Sequence, residues 1–294
     1  YHYEWSMGNG GTTGSTGNNE STRLAYAGLQ GGWGKMLIGR QWAPSYFHVY
    51  NKTDTGDAHA SGPTNFSGNR HGKSITYTTP NMSGVTASAF AMLAAEQTQE
   101  DAIDKWELSG QYKNGPMQIG AAFGNDQRGS AATAAGSASS TAFDICITSL
   151  AGSCTTPSFV ATTFDSGSAG SAATTNDTDT WAIGGSYAFG DFSVEGHFVN
   201  RDTGGTNGET DGFALGGTYK MGSTQIHGAY RSTSIEGAAG DTDVDDWYIG
   251  VRHFMSKETR VFAEFRNTEL DAPVGGTDTD VDMFAIGLRK DWKL

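Results

Sequence analysis

Two acidic runs stand out among the residues able to do chemistry. They are Asp241-Thr242-Asp243-Val244-Asp245-Asp246 and Asp278-Thr279-Asp280-Val281-Asp282. Carboxylates at this density are hard oxygen donors that can take up Ca²⁺, and the alternative is a set of solvated loop charges. A third acidic pair, Asp54 and Asp57, sits in Thr53-Asp54-Thr55-Gly56-Asp57, a segment that could simply be a solvated turn. Cys146 and Cys154 lie eight positions apart in a stretch of low complexity. No third or fourth ligand is placed near them, so a local disulfide in an exported chain is the expected use rather than a metal. His59, His71, His197, His227 and His253 are scattered without ligand spacing, so no metal centre is predicted. Ser and His are both present, but no motif or spacing pairs a nucleophile with a base, so no enzymatic activity is predicted.

The elements that carry these residues read as strands. Trp181, Ile183, Gly185, Tyr187 and Phe189 fall on one face of an extended segment, and Ala182, Gly184, Ser186 and Ala188 on the other. Phe213, Leu215, Gly217 and Tyr219 oppose Ala214, Gly216, Thr218 and Lys220, and Ile226 and Tyr230 oppose His227, Ala229 and Arg231. Period two marks strands with one apolar face. That face has aromatics near its ends and Leu, Ile, Val and Gly between them, while the other face is small or charged. Lipid on one side and water on the other account for such a pattern. Segments of about 9–11 residues are long enough to cross a bilayer when tilted.

Fourteen such segments are visible, near 1–7, 22–31, 35–45, 72–80, 85–93, 102–113, 116–124, 179–189, 191–201, 211–220, 223–232, 244–254, 259–269 and 280–294. Short connectors such as Asn114-Gly115, Gly190 and Met221-Gly222 alternate with long ones such as 46–71 and 125–178. Short turns on one side and long loops on the other describe an outer-membrane barrel. The reading is all-β: a single transmembrane antiparallel β-barrel domain over 1–294.

Composition narrows the alternatives. Lys plus Arg is 19 and Asp plus Glu is 32, a net charge of −13 that repels nucleic acid. Two Cys in 294 residues exclude a disulfide scaffold. The longest apolar run, 85–95, is interrupted by Thr86 and Ser88 and is too short for a membrane-spanning helix. Gly, at 42 residues, is roughly twice its usual share. The 33 aromatics (7 Trp, 11 Tyr and 15 Phe) are too many for a disordered chain. The chain starts inside a patterned segment, Tyr1-His2-Tyr3-Glu4-Trp5, so it is expected to be processed or incomplete at that end.

The stretch Thr22-Arg23-Leu24-Ala25-Tyr26-Ala27-Gly28-Leu29, continuing through Gly34-Lys35-Met36-Leu37-Ile38-Gly39-Arg40-Gln41, resembles the paired strands that precede the third loop in the general porins of Gram-negative outer membranes. Asn69-Arg70-His71-Gly72-Lys73-Ser74-Ile75 resembles the family's return from that loop, and Phe284-Ala285-Ile286-Gly287-Leu288-Arg289-Lys290-Asp291-Trp292 its closing strand. The resemblance implies sixteen strands, so the first two are expected to be missing from this chain. It implies that 46–71 is the inward-folded constriction loop and 125–178 a long extracellular loop. It also implies a water-filled channel for passive diffusion of ions and small hydrophilic solutes, a homotrimer, an integral outer-membrane location, and contact with outer-membrane lipid and lipopolysaccharide. The alternatives are a substrate-selective porin and a loop-mediated binding or adhesion protein on a barrel scaffold.

By the same resemblance, Asp54 and Asp57 of the loop face wall arginines, for which Arg23 and Arg70 are the matches, with Lys73 as an extension of the basic wall. The facing charges imply a transverse field that favours polar solutes. Arg23 shares a face with Ala25 and Ala27 and is expected to point into the lumen. Arg40 shares the apolar face of Met36 and Ile38, which favours a structural or subunit contact. The acidic excess implies a mild preference for cations. No cofactor is expected, Ca²⁺ at the acidic runs excepted.

Overall fold

Residues that alternate in character along the chain alternate in exposure in the computed structural model. In the segment 213–219, Phe213, Leu215 and Tyr219 are exposed while Ala214 is buried; in 246–251, Trp247, Ile249 and Val251 are exposed while Asp246 and Tyr248 are buried. This inverts the soluble rule, in which apolar side chains go inward. Large apolar side chains standing outward on strand after strand, with His, Glu, Asp and Arg buried on the other face, fit a sheet with lipid on one side.

The structure describes residues 1–7, 20–58, 70–93, 102–127, 177–204, 208–238, 240–273 and 275–291. Among them run fourteen strands: β1 (His2–Met7), β2 (Glu20–Gly31), β3 (Gly34–Trp42), β4 (Arg70–Thr78), β5 (Val85–Leu93), β6 (Ile103–Asn114), β7 (Met117–Asp126), β8 (Thr178–Phe189), β9 (Phe192–Thr203), β10 (Glu209–Met221), β11 (Thr224–Ile235), β12 (Thr242–Ser256), β13 (Thr259–Asp271) and β14 (Thr279–Lys290). They form one sheet in sequential order from β1 to β14. The ladders from β2 to β14 are antiparallel between successive strands, as in Gly217↔Gly228 between β10 and β11 and Gly228↔Ile249 between β11 and β12. No helix among the described residues is long and apolar enough to cross a membrane. The chain divides into two compact units, Tyr1–His2 with Leu24–Arg128 and Asn176–Leu294, and Tyr3–Arg23 with Gly129–Thr175.

The hairpin turns sit where glycine permits them. Gly115 and Gly190 take φ of 55° and 64°, the left-handed region that tight turns require and other residues resist. The period-two reading finds each of these strands, with ends displaced by up to four residues; it carries the last strand to position 294, whereas β14 stops at Lys290. That reading carries the third strand to position 45, whereas β3 stops at Trp42 and a five-residue helix, α1 (Pro44–His48), follows. Pro44 explains the change. Its ring fixes φ for a first helical position, and the residue before it, Ala43, is held extended at φ −61°, ψ 136°. Five residues are too few to show a helical period.

Beyond α1 the chain makes a single 3₁₀ turn at Tyr50–Lys52. Val49, between the two, and Tyr50 of the turn supply the one apolar cluster found on the polar face among the described residues, against Ala122 (β7), Ala182 (β8) and Val199 (β9), with Tyr46 of α1 alongside. Burying two side chains of this size is worth about 1.5–3 kcal/mol each.

The segment that crosses the polar face

The segment from Ala43 to Ala58 is tied to the polar face at successive strands. Ser45 donates twice to Glu107 of β6, from its backbone N–H at 2.6 Å and its hydroxyl at 2.7 Å. His48 Nδ1 lies 3.0 Å from Ser109 Oγ on the same strand. The carbonyl of His48 occupies the space above Gly120 of β7, where a Cβ would collide with it, and Val49 closes in similarly over Gly184 of β8. Tyr50 meets the His197 ring of β9 edge-on at 5.3 Å, and Thr53 Oγ1 sits 2.8 Å from His197 Nδ1. Thr55 Oγ1 reaches Tyr248 of β12 at 2.6 Å. The backbone N–H groups of Asp57 and Ala58 both donate to Glu264 of β13, the second at 2.7 Å. Small residues on β7 and β8 make room for the segment, and polar residues on β6, β9, β12 and β13 hold it.

The far anchor is an ionic network. Asp57 pairs with Arg260 at 2.5 Å and with Arg252 at 3.3 Å, and its carboxylate has no solvent exposure. Arg252 also donates to the Thr55 carbonyl. His227 Nδ1 accepts from Arg252, which leaves Nε2 to donate to Glu264 at 2.8 Å. Ligand atoms of Asp57, His227 and Glu264 lie within 4.8 Å of one another, a spacing that a metal ion could use. Here two guanidinium groups already supply the positive charge, and both Glu264 oxygens accept hydrogen bonds, so the cluster works as a latch for the loop. Nearby, Arg231 and Arg266 both grip the fully buried Asp246, and Arg231 also lies over the Tyr248 ring at 5.0 Å.

The near end is aromatic. Arg70 stacks on Trp42 at 4.7 Å, Trp42 stacks on Tyr46 at 4.3 Å, and the Tyr46 hydroxyl donates to Asp54 at 2.5 Å. The structure thus links Arg70 to Asp54 through two rings and places Asp57 against Arg252 and Arg260. Arg23 pairs with Glu4 at 2.6 Å, with both side chains about two-fifths exposed. Lys73 falls at an irregularity of the β3–β4 ladder, exposed and with a left-handed φ of 51°. Arg40 lies at the same irregularity, which takes it out of the simple alternation of Met36 and Ile38. Cys146 and Cys154, and loop positions 59–69, lie outside the described residues.

Of the acidic runs, Asp245 and Asp280 stand opposite Glu269 in the β12–β13–β14 ladders, and Asp243 opposite Asp271. Asp245 accepts from Tyr230, and Asp280 and Asp282 accept from Asn267.

Sequence reading placed His227 and Arg231 on the polar face without giving them a site role, and did not single out Arg252, Arg260, Arg266 or Glu264. The available signal was parity, because each is a charged or titratable residue on the face opposite Ile226, Tyr230, Ile249, Val251 and Phe265.

A sheet that turns its apolar side chains outward and carries a chain segment across its polar face defines a β-barrel channel of the outer membrane. The model of the Gram-negative porin family matches residues 1–273, and the chain belongs to that family. It is an integral outer-membrane protein and a porin. A comparison with curated proteins gives no match. Among solved structures it is similar to OmpT of Vibrio cholerae (20% identity, TM-score 0.65, 93% of this chain and 81% of that one). It is also similar to OmpF of Salmonella typhi, solved with daunomycin (16%, 0.64, 92% and 79%), and to an anion-selective porin from Comamonas acidovorans (18%, 0.57, 90% and 76%). At these identities the likeness is one of fold.

Proposed function

We propose that this porin passes ions and small hydrophilic solutes by passive diffusion, without chemistry on the solute, and that the segment Ala43–Ala58 is its constriction. The observation that carries this reading is the run of anchors from Glu107 on β6 to Glu264 on β13. A segment fixed across the polar face at both ends narrows the water path and stays in place. Charges of both signs lie along it. The wall of β11–β13 presents Arg231, Arg252, Arg260 and Arg266, while the loop brings Asp54 and Asp57. Fixed charges along the path orient polar solutes and disfavour apolar ones, which would have to displace the water that the charged wall holds. A homotrimer is part of the proposal, supported by family membership.

Planar-bilayer recording of the purified full-length protein tests it. Conductance steps grouped in threes, with a finite ion preference in a salt gradient, are the expected result. A folded, heat-modifiable protein that carries no current would refute the channel reading.

A further inference from the structure

A second feature of the polar face is a niche of about 400 Å³ beside the crossing segment, lined by Lys52, Gln118, Glu195, Thr218 and Lys220 among others. Lys220 is the penultimate residue of β10, beside the short β10–β11 turn, and Lys113, the ladder partner of Gln118, is the penultimate residue of β6, beside the short β6–β7 turn. The niche therefore lies toward the short-turn side, which in outer-membrane barrels is periplasmic.

Its charge runs against the rest of the chain. The protein carries −13 overall. Among the described residues that line the niche, Glu195 is the one carboxylate, against two lysines. Lys113 stands close enough for its charge to act on Lys52. None of the three ammonium groups is in an ion pair among the described residues: Lys52 donates only to the Phe47 carbonyl and the Asn51 amide oxygen. Burial, followed by the Lys113 charge, holds the Lys52 ammonium below the usual lysine range, so it gains from an anion nearby. The neutral lining supplies the complementary chemistry. Gln118 and Thr218 can hydrogen-bond hydroxyls, and Glu195, which already accepts from Thr218 at 3.3 Å, can accept from another.

We propose that this niche is a solute-binding subsite for a phosphate monoester of a small polyhydroxylated molecule, with Lys52 and Lys220 at the phosphate and Glu195, Gln118 and Thr218 toward the hydroxyls. Lysines serve phosphate as point charges, and the volume suits a compact ligand. The subsite rests on the channel reading above and adds a solute class to it.

The test is block of the KCl current through the full-length protein in planar bilayers at low salt, with glucose 6-phosphate, glucose and inorganic phosphate as probes. Glucose 6-phosphate should block at concentrations where glucose has no effect, and inorganic phosphate should block more weakly. Lys220→Gln should raise the half-blocking concentration about tenfold, the effect of losing one charge-assisted contact. Lys220→Arg should retain the block. Lys257→Gln, which removes the same charge from the β12–β13 turn, should leave it unchanged. Equal loss in Lys257→Gln and Lys220→Gln, equal loss in Lys220→Arg, or no difference between glucose 6-phosphate and glucose would overturn the subsite while the conductance stands. Absence of conductance in the unmodified protein would instead overturn the channel reading beneath it.

Discussion

Asp57 is the residue on which the far anchor turns. Its buried carboxylate pairs with both Arg252 and Arg260, and its N–H reaches Glu264. Replacing it by an amide leaves Arg252 without its carboxylate partner and Arg260 with only the more distant Asp291 at 3.6 Å. Removing one partner of a buried pair costs about 3–5 kcal/mol. Asp57→Asn should therefore loosen the loop tip, visible as noisier single-channel current, and should shift the reversal potential in a KCl gradient toward the Cl⁻ potential. A shift toward K⁺ would contradict the assignment of Arg252 and Arg260 to the water path. Asp57 was legible in the sequence as a loop carboxylate, but its partners were not. Arg252 and Arg260 lie far along the chain, and no local pattern says which distant strand a loop will meet.

At the scale of the element, the crossing segment depends on what the strands beneath it omit. Gly120 is glycine because the His48 carbonyl fills the position of its side chain. Gly120→Val should displace the segment from β7 and raise single-channel conductance. The exposed outer face of β7 is untouched, so heat-modifiability of the barrel should be preserved. Loss of the folded barrel would show that Gly120 matters to the sheet and not to the loop.

His48 adds a pH dependence to the same docking. Burial, followed by the nearby Lys52 charge, lowers its pKa from 6.5 to about 4. The ring is thus neutral when docked near Ser109 and takes up a proton more readily when released. Docking is at full strength above pH 6.5, weakens as pH falls from 6.5 to about 4, and changes no further below that. The undocked population should grow by up to about tenfold per pH unit in that window. Loop-dependent current fluctuations recorded against pH should follow this course, and His48→Gln should flatten it. Fluctuations that decrease on acidification would be the wrong sign.

The helix that carries His48 escaped the sequence reading for a definite reason. Pro44 starts it without any side-chain cap, and it ends before one and a half turns are complete.

For the molecule as a whole, the sheet was the legible part. Period-two alternation located all fourteen strands because one face is lipid-exposed and the other polar, so every strand carries the same two-residue signal. Phe213, Leu215 and Tyr219 on β10, and Trp247, Ile249 and Val251 on β12, stand outward as their parity requires. The site was less legible because it is made by a segment with no period, pressed against strands from β6 to β13. Parity flagged Arg231 and His227 as facing away from lipid, yet could not say that β11 to β13 form the wall opposite the loop. The resemblance to porins pointed to Arg23 and Arg70. The structure sets Arg70 on an aromatic stack leading to Asp54, and Arg23 against Glu4.

The claim most open to direct test is that the segment Ala43–Ala58 lies in the ion path. Phe47 is the exposed residue of α1, set between the buried Ser45 and His48 that hold the helix to β6. In Phe47→Cys, a charged, membrane-impermeant thiol reagent added during single-channel recording should lower the conductance in discrete steps as each pore is modified. The unmodified protein, with Cys146 and Cys154 in place, should show no such steps. Conductance that is unchanged after confirmed modification at position 47 would contradict the account.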